Sequence, residues 1–268
     1  MDLRELENLS IYIIREAYSE FKNIAVLWST GKDSTTVLWL ARKAFFGKIP
    51  FPVIHIDTGY KFKTMYEFRD RIAKEWGLEL IVARNEEALG IGPEAGKFEC
   101  CTKLKTEALK KCLEKYGFDA LILAIRRDEH GIRAKERYVS FRDKNFFWNY
   151  RNQPPEFWDY FNIFEFKQEG EHLRIHPMLH WTELDMWLYI KKENIPVNPL
   201  YFSGTRKKGY RYRSIGCEPC CNPIKSDAKN VDEIIEELKK TKTAERAGRA
   251  QDKEKAYMMQ KLRALGYM

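Results

Sequence analysis

The sequence predicts a doubly wound parallel α/β sheet followed by an irregular and helical C-terminal region. Three observations carry that prediction. Short apolar runs, such as Ile24-Ala25-Val26-Leu27-Trp28 and Ala120-Leu121-Ile122-Leu123-Ala124, read as buried strands. They alternate with stretches whose apolar residues recur at helical spacing, the pattern of strands joined by crossover helices. Polar, phosphate-friendly residues follow the strands directly, at the carboxyl ends where such sheets bind ligands.

The elements follow in order. Residues 3–22 place Leu3, Leu6, Leu9, Ile13 and Ala17 along one helical face. Strand 24–28 runs into the turn 29–34, and a helix extends from near Ser34 to about Phe46. A second strand, 51–56, ends at Asp57-Thr58-Gly59. Helix 64–76 (Met65, Phe68, Ile72, Trp76) leads to strand 79–83, and the glycine-rich stretch 90–96 reads as a mobile loop. Helix 102–116 precedes strand 120–124. Beyond Arg126 the periodicity weakens, and residues 141–166, rich in aromatics and prolines, read as an irregular segment over the core. Thr182-Glu183-Leu184-Asp185 reads as a capping box with Asp185 in place of the usual Glu or Gln. Stretches 231–240 and 252–265 read as closing helices. The expected organisation is a core of residues 1–140 and a region, 141–268, that completes the site.

At 268 residues and 31.8 kDa the chain can bury one α/β core with an appended subdomain. No apolar run approaches a membrane span, and the N-terminus lacks a signal-peptide pattern, so a cytoplasmic protein is expected. The net charge of +8 suits anionic ligands: nucleotides, sulfate-like ions or nucleic acid. The run Arg206 to Arg213, with Tyr210 and Tyr212 interleaved, is the expected nucleic-acid contact if there is one, and a solvated basic face otherwise.

The turn Ser29-Thr30-Gly31-Lys32-Asp33-Ser34 carries the clearest chemistry. Backbone N–H groups of a strand-to-helix turn converge on one spot, and Lys32 and the hydroxyls of Ser29 and Ser34 add donors. The Walker spacing G-x-x-x-x-G-K-[ST] is absent. Arg126 and Arg127 follow a buried strand at the same edge, where guanidiniums would stabilise charge at a reacting α-phosphate; the alternative is a surface ion-pair cluster. Asp33 and Asp57 are candidate Mg²⁺ ligands, with Asp33 alternatively a helix N-cap. His55, inside an apolar strand, reads as a packed core residue. Of six cysteines, Cys112 lies mid-helix and reads as packing, whereas Cys100-Cys101 and Cys217-x-x-Cys220 supply four thiols at metal-site spacing. Four thiolates suit a [4Fe–4S] cluster or a zinc ion.

The turn resembles the S-G-G-x-D-S pyrophosphate loop of N-type ATP pyrophosphatases, with Thr30 replacing the first glycine. Over nearly its whole length the chain resembles the phosphoadenosine-phosphosulfate reductase superfamily, which implies an adenine nucleotide alpha-hydrolase-like, Rossmann-like fold. Phe51 to Asp70, Arg126 to Asp143 and Glu245 to Met268 look like the small subunit of sulfate adenylyltransferase. Glu99 to Lys103 and Ser214 to Cys220 are instead similar to the cysteine framework of adenylylsulfate reductases. The cysteine that those reductases carry near the C-terminus has no counterpart, because no cysteine follows Cys221. Both features occur together in the iron–sulfur ATP pyrophosphatase of DNA phosphorothioation systems.

The resemblance implies that Ser29, Thr30, Gly31, Lys32, Asp33 and Ser34 bind the pyrophosphate of ATP, with adenosine across Asp57, Thr58 and Gly59. It assigns catalysis to Lys32, Asp33, Arg126 and Arg127, and a cluster to Cys100, Cys101, Cys217 and Cys220. Cys221 would be a substitute ligand or a persulfide carrier. The expected function is an iron–sulfur enzyme that adenylates an oxyanion to prepare sulfur insertion, as in DNA phosphorothioation or other nucleic-acid thiolation. The alternative is the sulfate adenylyltransferase small subunit making adenylyl sulfate. A sulfonucleotide reductase or a non-enzymatic iron–sulfur subunit fits less of the sequence. Expected cofactors are ATP, Mg²⁺ and a [4Fe–4S] cluster, with zinc as the alternative. Expected partners are a cysteine desulfurase as sulfur donor, other subunits of a modification complex, nucleic acid and a second copy of the chain; no membrane is expected.

Overall fold

A computed structural model describes residues 1–88, 90–131, 133–151, 171–241, 245–248 and 258–267. The sheet is built from β1 (Ile24–Leu27), β2 (Val53–Ile56), β3 (Leu80–Ala83), β4 (Ala120–Ile122), β5 (Val139–Arg142) and β6 (His172–Ile175), in spatial order β3-β2-β1-β4-β6-β5. Every pairing is parallel except that of β5 with β6. β1, β2 and β4 are buried along their whole length, which is why they read as continuous apolar runs. The sheet crosses the division at residue 140. β6 lies inside it, so the C-terminal region completes the core as well as the site.

Helices cover the sheet: α1 (Leu3–Glu20), α2 (Lys32–Ala44), α3 (Lys63–Trp76) and α5 (Glu107–Tyr116), with α6 (Glu183–Glu193) and α7 (Val231–Lys240) from the C-terminal region. Asp2 starts α1 through a capping box with Glu5, and Thr182 starts α6 through one with Asp185. α3 stops at Gly77, whose φ of +60° lies in the left-handed region that glycine adopts freely. The helix expected over 102–116 begins earlier. α4 (Lys97–Cys101) runs into a π-helical turn, Thr102–Thr106, before α5. Such turns re-aim side chains. The stretch 90–96, expected as loop, contains a short 3₁₀ turn at Pro93–Ala95. A last helix spans Met258–Ala264; most of the expected segment 141–166 and the start of 252–265 lie outside the described residues. Among the described residues, no helix is long and apolar enough to cross a membrane.

Strand order fixes where a ligand can enter. The chain moves from β1 outward through β2 to β3, then returns to place β4 on the other side of β1. The loops after β1 and β4 therefore diverge, leaving a crevice at their carboxyl ends.

Candidate active site

A cavity of about 160 Å³ lies in that crevice. Leu27, Ile54, Ile56, Leu123 and Ile125 give it an apolar floor from the ends of β1, β2 and β4. Ser29, Gly31, Lys32, Asp33 and Ser34 form one wall. The turn is held from within: Ser29 N–H donates to Ser34 Oγ at 3.2 Å, and Ser34 Oγ donates to the Gly31 carbonyl at 3.2 Å. Below it, Trp28 Nε1 donates to Thr35 Oγ1 at 3.0 Å, tying the strand to α2. Thr30, at the position of a family glycine, has φ +64°, and its buried Oγ1 has no partner. A β-branched residue there is strained, which explains why glycine suits the position better.

α2 begins at Lys32, two residues before the expected start, with Gly31 as N-cap and no side-chain cap. Asp33 is therefore not the cap. Its Oδ1 accepts from Arg126 Nε at 2.8 Å and its Oδ2 from Lys32 Nζ at 3.1 Å. Lys32 and Arg126 also share Glu245, whose two carboxylate oxygens each take one of the cations. Arg126 reaches Asp128 at 2.5 Å as well. Burial works against the charge on Lys32 and Arg126, but Asp33 and Glu245 outweigh it, so both cations are held more firmly protonated than usual. Burial likewise opposes the Glu245 charge, and Arg126 and Lys32 overcome it, holding that carboxyl well below the ordinary range.

Cations besides Lys32 line the cavity. Lys105, turned inward by the π-helical turn, donates to Tyr267 Oη at 3.2 Å. Arg133 and Arg246 both bind Glu129, the latter at 2.9 Å. Burial and the neighbouring guanidiniums of Arg246 and Arg263 depress the basicity of Arg133. Lys61, Lys105, Arg133 and Arg246 thus line the cavity, with Glu129 between the two arginines. Tyr267 is brought there by buried Arg174, which donates to the carbonyls of Tyr267 and Gly266 at 3.1 and 2.6 Å. Lys105, Tyr201, Glu245, Arg246 and Tyr267 escaped the residue-level reading. The resemblance over Glu245 to Met268 was the available signal for three of them.

Other expected residues sit elsewhere. Neither Arg126, which is fully buried, nor Arg127 is among the cavity-lining residues; Arg127 binds the Glu136 carbonyl at 3.1 Å and His180 Nε2 at 2.6 Å. Asp57 is committed to structure: Oδ1 accepts from Gly59 N–H and Tyr66 Oη, both at 2.8 Å, and Oδ2 from Arg84 at 2.5 Å. That leaves it unsuited to Mg²⁺, and Asp57, Thr58 and Gly59 stand outside the cavity lining. His55 is a core residue, pushed down to about 3 mainly by burial, with Nδ1 against the Trp28 carbonyl at 2.9 Å. In the basic run, Arg211 and Arg213 are buried and bound to Glu237 and Glu183 at 2.7 and 2.6 Å, which leaves Arg206, Lys207 and Lys208 as its surface cations.

The cysteines converge. Cys100, Cys101, Cys217, Cys220 and Cys221 are buried, and none is in a disulfide. The Cys100 thiol is pushed up to about 12, first by burial and then by Cys101 and Cys217, with a smaller push from Cys220. Tyr60 joins the halves: it packs beside Cys100, and its carbonyl accepts from Glu218 N–H at 2.7 Å. Thr58 Oγ1 lies 3.2 Å from Cys217 Sγ. Ser214, Ile215 and Gly216, just before Cys217, line the cavity. Among the described residues, no group of three or more His, Cys, Asp or Glu side chains is arranged for a single metal ion. Tetrahedral zinc requires such convergence. A [4Fe–4S] cluster takes one thiolate per iron and tolerates wider spacing.

The phosphoadenosine phosphosulfate reductase domain model matches residues 23–223. Sulfate adenylyltransferase subunit 2 of Photorhabdus laumondii subsp. laumondii is 44% identical over 99% of this chain and 97% of its own length. A Chromohalobacter salexigens protein of the same name is 45% identical over 99% and 96%. Among solved structures, Candida glabrata FMN adenylyltransferase with FAD and inorganic pyrophosphate superposes with a TM-score of 0.59 at 18% identity. That match covers 82% of this chain and 64% of the fungal protein, less than two thirds of its length. Phosphoadenylyl-sulfate reductase from Candida auris gives 0.53 at 16% identity, covering 74% and 88%. Family model, full-length relatives and fold coincide: the chain belongs to the phosphoadenosine phosphosulfate reductase domain family, in company with sulfate adenylyltransferase subunit 2 proteins.

Proposed function

We propose that this chain is an adenylyl-transferring ATP pyrophosphatase whose acceptor is a small oxyanion, sulfate, as in the subunit 2 relatives. One observation carries the reading: the pyrophosphate-type turn and the cations Lys61, Lys105, Arg133 and Arg246 line a single cavity. Its long apolar floor suits adenosine. An acceptor oxygen attacks the α-phosphorus of ATP, the bond to the bridging oxygen breaks, and pyrophosphate leaves with that electron pair. Lys32, Arg126 and the turn's donors meet the charge that develops on the leaving group. Lys105, Arg133 and Arg246 hold the acceptor and offset its repulsion from the triphosphate. Mg²⁺ would neutralise phosphate charge, and Asp33 could join in holding it only by giving up Arg126 or Lys32, which take both its oxygens. Subunit 2 relatives imply a partner subunit, and the assay belongs with that partner present.

A second reading rests on the gathered cysteines. A [4Fe–4S] cluster on Cys100, Cys101, Cys217 and Cys220 would make the chain a thiolation enzyme acting on nucleic acid, fed by a sulfur donor protein. The two readings separate in one experiment. Anaerobically purified protein is analysed for iron, sulfide and zinc, and pyrophosphate release from ATP is followed with sulfate or with DNA. Sulfate-dependent release supports the first reading. Release that requires nucleic acid and no sulfate overturns it in favour of the second.

A further inference from the structure

At the turn, the donors that would receive a pyrophosphate are already occupied by the protein itself. Lys32 N–H, at the start of α2, donates to Tyr201 Oη at 2.9 Å. Ser29 N–H is taken by Ser34. Lys32 Nζ and the Arg126 Nη2 group, the two cations nearest the turn, both bind Glu245. The Glu245 side chain is 4% exposed, so its charge is sequestered with theirs. With Asp33 and Asp128 also on these cations, three carboxylates face one lysine and one arginine. An incoming phosphate therefore finds neither of these cations uncompensated until a carboxylate leaves. The cavity is small as well: about 160 Å³ against roughly 300–1,000 Å³ for ordinary ligand pockets.

We infer that Glu245 is a resident anion in the leaving-group subsite, displaced when the pyrophosphoryl end of ATP binds and returning to expel pyrophosphate after transfer. The inference rests on the proposed reading of the turn and is independent of which acceptor is used. Glu245 is the group that can give way. Asp33 belongs to α2, whereas Glu245 comes from a short 3₁₀ turn, Glu245–Gly248, on the C-terminal segment. Its neighbour Arg246 lines the cavity and binds Glu129, so withdrawing Glu245 also shifts one of the cavity's cations. Nucleotide entry and acceptor-site arrangement are thereby linked through two adjacent residues. No covalent step is involved; one carboxylate exchanges places with phosphate oxygens on the same donors. Glu245 acts as a positioning residue, not a catalytic one.

The test uses the full chain with inorganic pyrophosphate and Mg²⁺ as the probe, read by calorimetry. Glu245→Gln removes the competing charge and keeps the shape, so it should bind pyrophosphate about tenfold more tightly than wild type. In the assembled enzyme both KM for ATP and kcat should fall, because product leaves slowly. Wild-type protein gives a second reading that needs no variant: hydrogen exchange over residues 245–248 should rise on adding pyrophosphate. Unchanged or weaker binding by folded Glu245→Gln overturns the inference, as does exchange that stays level or falls. Pyrophosphate that binds neither protein would overturn the reading of the turn itself, a distinguishable failure.

Discussion

Arg126 Nε donates to Asp33 Oδ1 at 2.8 Å, joining the turn after β1 to the turn after β4 across the crevice. This one contact decides between roles that the sequence left open for Asp33. A helix N-cap would aim its carboxylate at the backbone of α2; here both oxygens serve cations instead. It also separates the two neighbouring arginines, because Arg126 binds Asp33, Asp128 and Glu245 beside the turn while Arg127 binds Glu136 and His180.

That separation predicts unequal mutants. Arg126→Ala should slow pyrophosphate release about 10²–10³-fold, the usual loss for a donor aimed at developing charge. Arg127→Ala should change it by about twofold or less. Steady-state release assays on folded protein decide the matter, and an equal loss in both variants would contradict the assignment.

Thr30 should be replaceable to advantage. With φ +64° and an orphaned buried hydroxyl, it stores strain that glycine does not. Thr30→Gly should raise stability by about 1 kcal/mol after glycine's own entropic cost, seen as a higher urea midpoint. A lower midpoint would mean that the threonine methyl contributes packing that outweighs the strain.

Acid should destabilise the fold through two histidines. Burial pushes His55 down to about 3 and His176 down to about 4 from 6.5. The unfolded chain binds their protons below about pH 6.5 while the folded chain refuses them. Stability is therefore full above that pH and falls as pH drops toward the folded values. Each imidazole contributes a slope of up to about 1.4 kcal/mol per pH unit. Urea midpoints between pH 7 and pH 5 should show the decline, and His55→Gln should flatten it by about half. A level profile for the wild type would refute the account.

Lys105 should matter to the acceptor and not to the leaving group. Lys105→Gln should raise the KM for sulfate about tenfold, the scale of one charge-assisted hydrogen bond, while pyrophosphate binding stays unchanged. Loss of pyrophosphate binding in this variant would assign Lys105 to the leaving group instead.

The sequence by itself determined the alternation of buried strands and amphipathic helices, and hence the class of fold and the edge where the cavity opens. These are local properties: apolar runs, helical spacing, capping residues such as Thr182 and Asp185, and the turn 29–34 can be read without knowing what packs against what. Tertiary structure decided the partners of the charges. Nothing in Asp57-Thr58-Gly59 signals that Tyr66 and Arg84 claim the carboxylate, nor does the basic run 206–213 announce Glu237 and Glu183. β5 and β6 carried weak periodicity because their place in the sheet depends on long-range pairing. Glu245 is the clearest case. It is separated by more than a hundred residues from both cations it neutralises, and burial is what makes that pairing strong.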